Sequence, residues 1–287
     1  MTTLYEEVRA VLREGDFRLR KSRGQNFLIH ENVVESILRL LDLDPSDEVL
    51  EIGPGLGFLT RRLVERAATV WAVEIDGQLV ARLRQSGLAA NQKFHLIHGD
   101  ILEVPLADML PSAPIKLVGN LPYSISTQVL FRILARRGNF SSLVLMVQKE
   151  VADRIAGQPG NKDYGTLSVW CQAHGRITAK LNVSPEAFFP RPKVRSTVLK
   201  IELYPQPLAP DDELALLRML VRAAFGQRRK TLANALMPLL GFSRNEVESF
   251  LWSQDIDPRR RGETLSVAEF IKLAHSAREK GLLTASH

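Results

Sequence analysis

Residues 48–57 read Glu-Val-Leu-Glu-Ile-Gly-Pro-Gly-Leu-Gly, and the fold turns on this stretch. The run 48–52 is short and mostly apolar, the pattern of a buried strand, and it breaks at Gly53-Pro54-Gly55. Residues 58–65 resume with apolar side chains at helical spacing. In that strand–turn–helix order, the glycines permit a tight turn and let a ligand approach the main chain closely. Outward from this stretch, 69–73, 94–97, 115–118 and 143–147 have strand character, and 78–84 and 127–136 have helical patterns. Such alternation predicts a parallel sheet covered on both faces. Residues 176–183 and 197–203 have β character with no long helix between them, and they are expected to close the sheet edge as an antiparallel pair.

Residues 204–210, Tyr-Pro-Gln-Pro-Leu-Ala-Pro, carry three prolines in seven positions and read as a linker. Beyond it, 211–225, 229–236, 244–251 and 267–278 are all helical in pattern, with no β-rich segment. The expected organisation is an α/β domain with a Rossmann-like sheet over 1–207, including a basic N-terminal arm over 1–30. A small all-helical domain over 208–287 follows.

The 287 residues are 45% hydrophobic and 24% charged, the balance of a soluble globular protein. One cysteine excludes an intrachain disulfide and a Cys-rich zinc site, and Cys171 reads as a packing residue. The histidines lack ligand spacing, so no metal is expected. With no signal-like leader and no run long enough to span a bilayer, a cytoplasmic location is expected. The net charge of +6 says little, but its distribution says more. Basic residues bunch at Arg18, Arg20, Lys21 and Arg23, at Arg228, Arg229 and Lys230, and at Arg259, Arg260 and Arg261. A solvated surface explains any one bunch; three with few acids beside them favour a phosphate-rich partner. The middle bunch falls at the expected start of a helix, where free N–H groups could meet a phosphate.

The turn glycines Gly53, Gly55 and Gly57 are spaced G-x-G-x-G, and Phe58 stands where a dinucleotide fingerprint carries its third glycine. That spacing suits S-adenosylmethionine, whose small end is an amino acid, better than a pyrophosphate. Glu74 closes the second strand, where an acid accepts hydrogen bonds from both hydroxyls of a ribose. Asp100 follows the third strand and can receive an adenine amino group, although alone it reads equally as a turn or cap residue. Ile75 and Ile101, beside these acids, join the same expected site.

Asn120-Leu121-Pro122-Tyr123 follows the fourth strand and is the most specific signal. An exocyclic amine on a base is a poor nucleophile because its lone pair is delocalised into the ring. Acceptors on both of its N–H bonds, the Asn120 side-chain oxygen and the Leu121 carbonyl, favour a pyramidal nitrogen aimed at a methyl donor. Pro122 stiffens the turn and Tyr123 offers a stacking face for a base that has left its helix. Residues 188–193, Phe-Phe-Pro-Arg-Pro-Lys, add two aromatics on a proline-rigid loop. A second stacking wall and an ordinary core phenylalanine are both open there, and spacing does not separate Phe188 from Phe189. The basic stretch 21–28 runs into Gln25 and Asn26; it folds over the cofactor or contacts RNA. Residues 148–154 read as a solvated helical face.

The segments KSRGQNFL (21–28), EIGPGLG (51–57), VEID (73–76), GD (99–100), GNLPYSIS (119–126), MVQKEVADRI (146–155), AFFPRPKVRS (187–196) and FGQRRKTLANAL (225–236) run in one order over nearly the whole chain. Together they resemble the ribosomal RNA adenine dimethyltransferases of the KsgA type. The resemblance implies a Rossmann-like methyltransferase domain with a helical C-terminal domain. It also implies dimethylation of N6 on two adjacent adenines in the loop of the 3′-terminal hairpin of 16S rRNA. The expected partner is the pre-30S particle, the expected donor S-adenosylmethionine and the expected state a monomer. Gln25, Asn26, Leu28, Gly53, Gly55, Gly57, Glu74, Ile75, Asp100, Ile101 and Asn120 are then expected at the cofactor. Asn120, Leu121, Pro122, Tyr123 and Phe188 are expected at the base, and Lys21, Arg23, Arg228, Arg229 and Lys230 at RNA. One position departs from the pattern: Arg195 stands where the family usually has an acid. The alternatives are a large-subunit rRNA adenine methyltransferase, which shares the Asn-x-Pro-Tyr site, and a non-catalytic rRNA-binding assembly factor. A nicotinamide oxidoreductase is disfavoured by Phe58.

Overall fold

The computed structural model describes residues 3–13, 19, 24–111, 114–206 and 208–282. The chain divides into two compact units, 1–152 with 176–205, and 153–175 with 206–287.

In the first unit, β1 (Phe27–Leu28) pairs antiparallel with β8 (Phe188–Phe189) in a small ribbon. The main sheet contains β2 (Glu48–Ile52), β3 (Thr69–Glu74), β4 (Phe94–His98), β5 (Ile115–Asn120), β6 (Phe140–Gln148), β7 (Gly175–Val183) and β9 (Ser196–Leu203). Their spatial order is β4-β3-β2-β5-β6-β9-β7. The strands from β4 through β6 are parallel, and β9 runs antiparallel to β6. The interior strands are buried in nearly continuous runs because helices cover both faces, whereas β7 at the edge alternates between buried and exposed positions. The expected closing pair, β9 and β7, occupies that edge.

From β2 the sheet grows through β3 to β4 on one side, and the chain then returns to lay β5 on the other side of β2. The crevice at the carboxyl ends of β2 and β5 is therefore the topological switch point, where ligands bind in open α/β sheets. Around the sheet stand α1 (Leu4–Arg13), α2 (Glu31–Leu41), α3 (Phe58–Arg66), α4 (Gly77–Gln85), α5 (Leu106–Met109) and α6 (Ser126–Leu134). The longer ones are amphipathic; α2, for example, buries Val34, Ile37, Leu38 and Leu41 in the core beneath the sheet.

Helix α7 (Lys149–Ile155) crosses the division between the units. The second unit holds α8 (Thr166–His174), α9 (Asp211–Gly226), α10 (Leu232–Leu240), α11 (Arg244–Trp252) and α12 (Val267–Glu279). Leu216, Leu217 and Leu220 of α9 and Phe270, Leu273 and Ala274 of α12 are all buried there. Ser243 with Glu246 and Ser266 with Glu269 form capping boxes that start α11 and α12. The segment 153–175, placed in the first domain by the sequence pattern, packs with these helices instead. Tyr164 is fully buried with its ring edge-on to Phe225 at 5.7 Å, and its carbonyl accepts from Arg228. Composition does not change at residue 153, so no linker signal marks the division.

Candidate active site

The crevice at the switch point encloses about 1290 Å³, its open mouth included. Its wall contains Gln25, Asn26, Leu28, Gly53, Gly55, Glu74, Ile75, Asp100, Ile101 and the whole of Asn120-Leu-Pro-Tyr123. Segments up to about a hundred residues apart thus converge, because each ends a strand of the same sheet or, for Gln25, Asn26 and Leu28, belongs to the β1 ribbon.

At the end of β2, Gly53 and Gly55 have φ of +68° and +59°, a region in which L side chains are strained. A Cβ on Gly55 would stand 3.3 Å from the Phe27 ring, so the bare backbone is also what fits. Its N–H donates to Glu74 Oε2 at 3.2 Å, and the Asp76 N–H donates to Glu74 Oε1 at 2.9 Å. The Glu74 carboxylate is thereby locked across the wall. Burial pushes its pKa up, with the backbone donors opposing and the Asp76 charge adding to the rise. Asp76 caps α4 by accepting from the Gln78 N–H and also accepts from Gln25 Nε2 at 3.0 Å, which ties the β1 arm to the end of β3. Asp100 Oδ1 accepts from the Leu102 N–H at 2.8 Å, so this residue is a turn former and a wall residue at once.

Glu51, on β2 two residues before Gly53, is 2% exposed and also lies on the wall. Burial pushes its carboxyl up to about 7; the Thr60 hydroxyl, donating at 2.7 Å, opposes that rise and the Glu74 charge adds to it. Nothing in the sequence pattern marked Glu51 beyond its place in the motif.

At the other end of the cleft, Asn120 Nδ2 donates to the Asn26 carbonyl at 3.1 Å. A carbonyl can only accept, so this bond fixes which way the amide faces and leaves Oδ1 with no donor among the described residues. The Leu121 N–H donates to the Met146 carbonyl at 3.0 Å, while the Leu121 carbonyl has no donor there. Two acceptors on consecutive residues of the cleft wall therefore have no donor among the described residues. Tyr123 Oη lies 2.7 Å from Ser196 Oγ, and Ser196 is fully buried at the start of β9. Burial raises the Tyr123 phenol, with the Ser196 hydrogen bond opposing. Ser196 was not singled out from sequence, although it closes the Phe-Phe-Pro-Arg-Pro-Lys-Val-Arg-Ser segment; only the fold shows that β9 delivers it to Tyr123.

The structure places three features differently from the sequence reading. Gly57 is not on the wall: its φ of +79° caps α3, and a Cβ there would meet Leu83 and Leu88 at 3.0 Å. Phe188 is not on the wall either. It pairs with Leu28 in the ribbon and sits 2% exposed in the hydrophobic core, while Phe189 lies edge-on to Tyr5 at 5.8 Å. The middle basic bunch does not begin a helix, since α10 starts at Leu232 after Thr231. Its first N–H groups already donate, Leu232 to the Arg260 carbonyl at 2.7 Å and Ala233 to the Pro258 carbonyl at 3.2 Å. Arg228 donates to the Lys162 and Tyr164 carbonyls and pairs with Glu263 at 3.9 Å, whereas Arg229 and Lys230 are exposed without a partner among the described residues. Lys21 and Arg23 lie outside the described residues.

Among the described residues, no group of three or more His, Cys, Asp or Glu side chains could hold a metal, and no helix is long and apolar enough to cross a membrane. Cys171 is buried and its thiol pushed up to about 12 by that burial, which leaves it unreactive.

The family model for ribosomal RNA adenine dimethylase matches residues 16–279. The chain is 45% identical over 269 residues to a ribosomal RNA small subunit methyltransferase A of Geobacter metallireducens, spanning 92% of this chain and 98% of that one. It is 47% identical over 259 residues to the protein of the same name from Syntrophotalea carbinolica, at 90% and 96% coverage. Among solved structures, a dimethyladenosine transferase from Plasmodium falciparum superposes with a TM-score of 0.77 at 25% identity, covering 88% of this chain and 97% of that one. The 23S rRNA methyltransferase ErmE superposes with a TM-score of 0.66, also at 25% identity, covering 88% and 99%. A cleft that joins a glycine-turn cofactor wall to an Asn-Leu-Pro-Tyr turn, with a family match over most of the chain, places this protein in the ribosomal RNA adenine dimethylase family.

Proposed function

We propose that the chain is an S-adenosylmethionine-dependent methyltransferase that dimethylates N6 of two adjacent adenines in the loop of the 3′-terminal hairpin of 16S rRNA. It acts as a cytoplasmic monomer on the pre-30S particle. The observation that carries the reading is the pair of acceptors without a donor among the described residues, Asn120 Oδ1 and the Leu121 carbonyl, on residues that line one cleft with Glu74 and Asp100. The residues fit the cofactor. Gly53 and Gly55 present bare backbone, Glu74 retains lone pairs that would accept from two ribose hydroxyls, Asp100 keeps a carboxylate oxygen that would receive the adenine amine, and Ile75 and Ile101 would supply apolar contact. When bound, S-adenosylmethionine supplies an electrophilic methyl on a sulfonium.

The rest follows from this chain's own groups. The substrate amine donates its two N–H bonds to Asn120 Oδ1 and the Leu121 carbonyl, which localises the nitrogen lone pair and aims it along the cleft. Tyr123, held by Ser196, stacks on the base. Such positioning, which converts an encounter into a near-attack geometry, is worth roughly 7–11 kcal/mol. The methylated aryl ammonium loses its proton readily to water, so no strong general base is required. Arg229 and Lys230, joined by Lys21, Arg23 and the half-exposed Arg228, supply RNA backbone contacts. The small-subunit target rests on the names of relatives 45% and 47% identical over nearly their whole length. The test is incubation with methyl-labelled S-adenosylmethionine and unmethylated 30S particles, then mapping of the modified base. Two dimethylated adenines in the 3′-terminal hairpin are expected; label in 23S rRNA alone overturns the reading.

A further inference from the structure

Residues 193–195, Lys-Val-Arg, lie just outside the sheet on the cleft side. Ser196, the next residue, pairs in register with Gln148 at the carboxyl end of β6, and its hydroxyl holds Tyr123 at 2.7 Å. The Lys149 N–H donates to the Arg195 carbonyl at 2.9 Å, which pins the backbone of the turn to the first residue after β6. Pro190 and Pro192 restrict the chain that leads into it. Lys193, Val194 and Arg195 are all exposed, with Val194 at 42%. Neither the Lys193 ammonium nor the Arg195 guanidinium has a hydrogen bond or ion pair among the described residues. Arg191 on the same loop is tied to Glu186. The other charged groups next to the turn are Lys149 and Glu150 at the start of α7, both exposed and both with partners of their own.

Two cations without a hydrogen bond or ion pair among the described residues thus stand on a braced turn, one and three residues from the side chain that holds Tyr123. We propose that Lys193 and Arg195 grip the RNA phosphates on either side of the adenine presented to Asn120 and Tyr123. This grip holds the backbone while the base leaves its stack. The proposal rests on the methyltransferase reading above. It assigns the substrate strand a contact in the first unit, separate from the basic residues of the second.

The test is steady-state methylation of unmethylated 30S particles by Arg195→Glu, Arg195→Ala and Lys193→Ala over a range of salt. For each alanine variant, the slope of log KM against log salt should fall in magnitude by about 0.7–0.9, the share of one phosphate contact. Arg195→Glu should raise KM by about tenfold or more at low salt and approach wild type at high salt. The kcat at saturating particles and the calorimetric affinity for S-adenosylmethionine should stay at wild-type values. A KM and slope equal to wild type overturn the grip, as does a loss confined to kcat, which would place Arg195 on the Tyr123–Ser196 pair instead. If wild-type protein itself transfers no methyl to the particles, the methyltransferase reading fails first and takes the grip with it.

Discussion

Glu51→Gln makes the buried acid of the cleft measurable. The carboxyl is pushed up to about 7 from an ordinary 4.5, chiefly by burial, with the Glu74 charge adding and the Thr60 hydroxyl opposing. In the unfolded chain the same group releases its proton near the ordinary value. Between these two values the folded state holds a proton that the unfolded state has lost, so stability falls as pH rises through this window and levels off above about 7. At 1.36 kcal/mol per pKa unit, the loss between pH 5 and pH 8 is roughly 2 to 3 kcal/mol. Glutamine keeps an oxygen for Thr60 Oγ1, which donates at 2.7 Å in the wild type, and does not titrate. The stability of the variant relative to wild type should therefore grow by about that amount over the same range. Denaturant unfolding of the first unit is the assay. Tryptophan fluorescence reports it if Trp170→Phe and Trp252→Phe are made in both proteins, leaving Trp71 as the single tryptophan. A difference that stays constant from pH 5 to pH 8 would refute the burial argument.

Asn120→Ala should abolish transfer in single-turnover assays while calorimetry still detects S-adenosylmethionine binding. Asn120→Asp should also fail, because a carboxylate oxygen would face the Asn26 carbonyl across 3.1 Å. Ser196→Ala frees the Tyr123 hydroxyl and should slow transfer by about 2- to 10-fold, the kinetic equivalent of a ~0.5–1.5 kcal/mol hydrogen bond, with cofactor affinity unchanged. Glu74→Ala should weaken S-adenosylmethionine by ~1.5–3 kcal/mol per lost ribose bond and lower the melting temperature too, since the Gly55 and Asp76 N–H groups lose their acceptor. The basic bunch should split. Arg228→Ala should destabilise the second unit by ~1–3 kcal/mol as the Lys162 and Tyr164 carbonyls lose a donor, whereas Arg229→Ala with Lys230→Ala should leave melting unchanged and weaken 30S binding.

The sheet was readable because its interior strands are short apolar runs ending at turn residues, and the same ends carry the residues that line the cleft. Gly53, Glu74, Asp100 and Asn120 could be placed on one edge before any coordinates, since parallel strands put their carboxyl ends together. What stayed hidden depends on contacts between distant segments. Whether Tyr123 meets Ser196 is decided by the antiparallel return of β9, which no local pattern encodes. Phe188 and Phe189 both fit a stacking role in sequence, and the two-residue ribbon with Phe27 and Leu28 sends one to the core and the other towards Tyr5. Helical periodicity continues backward through Arg229, but Thr231 takes the N-cap position and the Arg260 and Pro258 carbonyls meet the first amides, so the helix begins later than its pattern. The assignment of 153–175 to the helical unit rests on Tyr164 meeting Phe225, a packing event with no compositional trace.

The bond from Asn120 to the Asn26 carbonyl is also an interlock. The amide that must present oxygen to the substrate is held in that orientation by the backbone of the arm that walls the cofactor cleft, and the arm is itself fastened to Asp76 through Gln25. If the arm lifts, the amide can spin and offer a donor where an acceptor is needed. Readiness to transfer a methyl is therefore not a property of the Asn-Leu-Pro-Tyr turn alone. It depends on a segment about ninety residues earlier in the chain, whose backbone carbonyl decides which atom of the amide is left to accept.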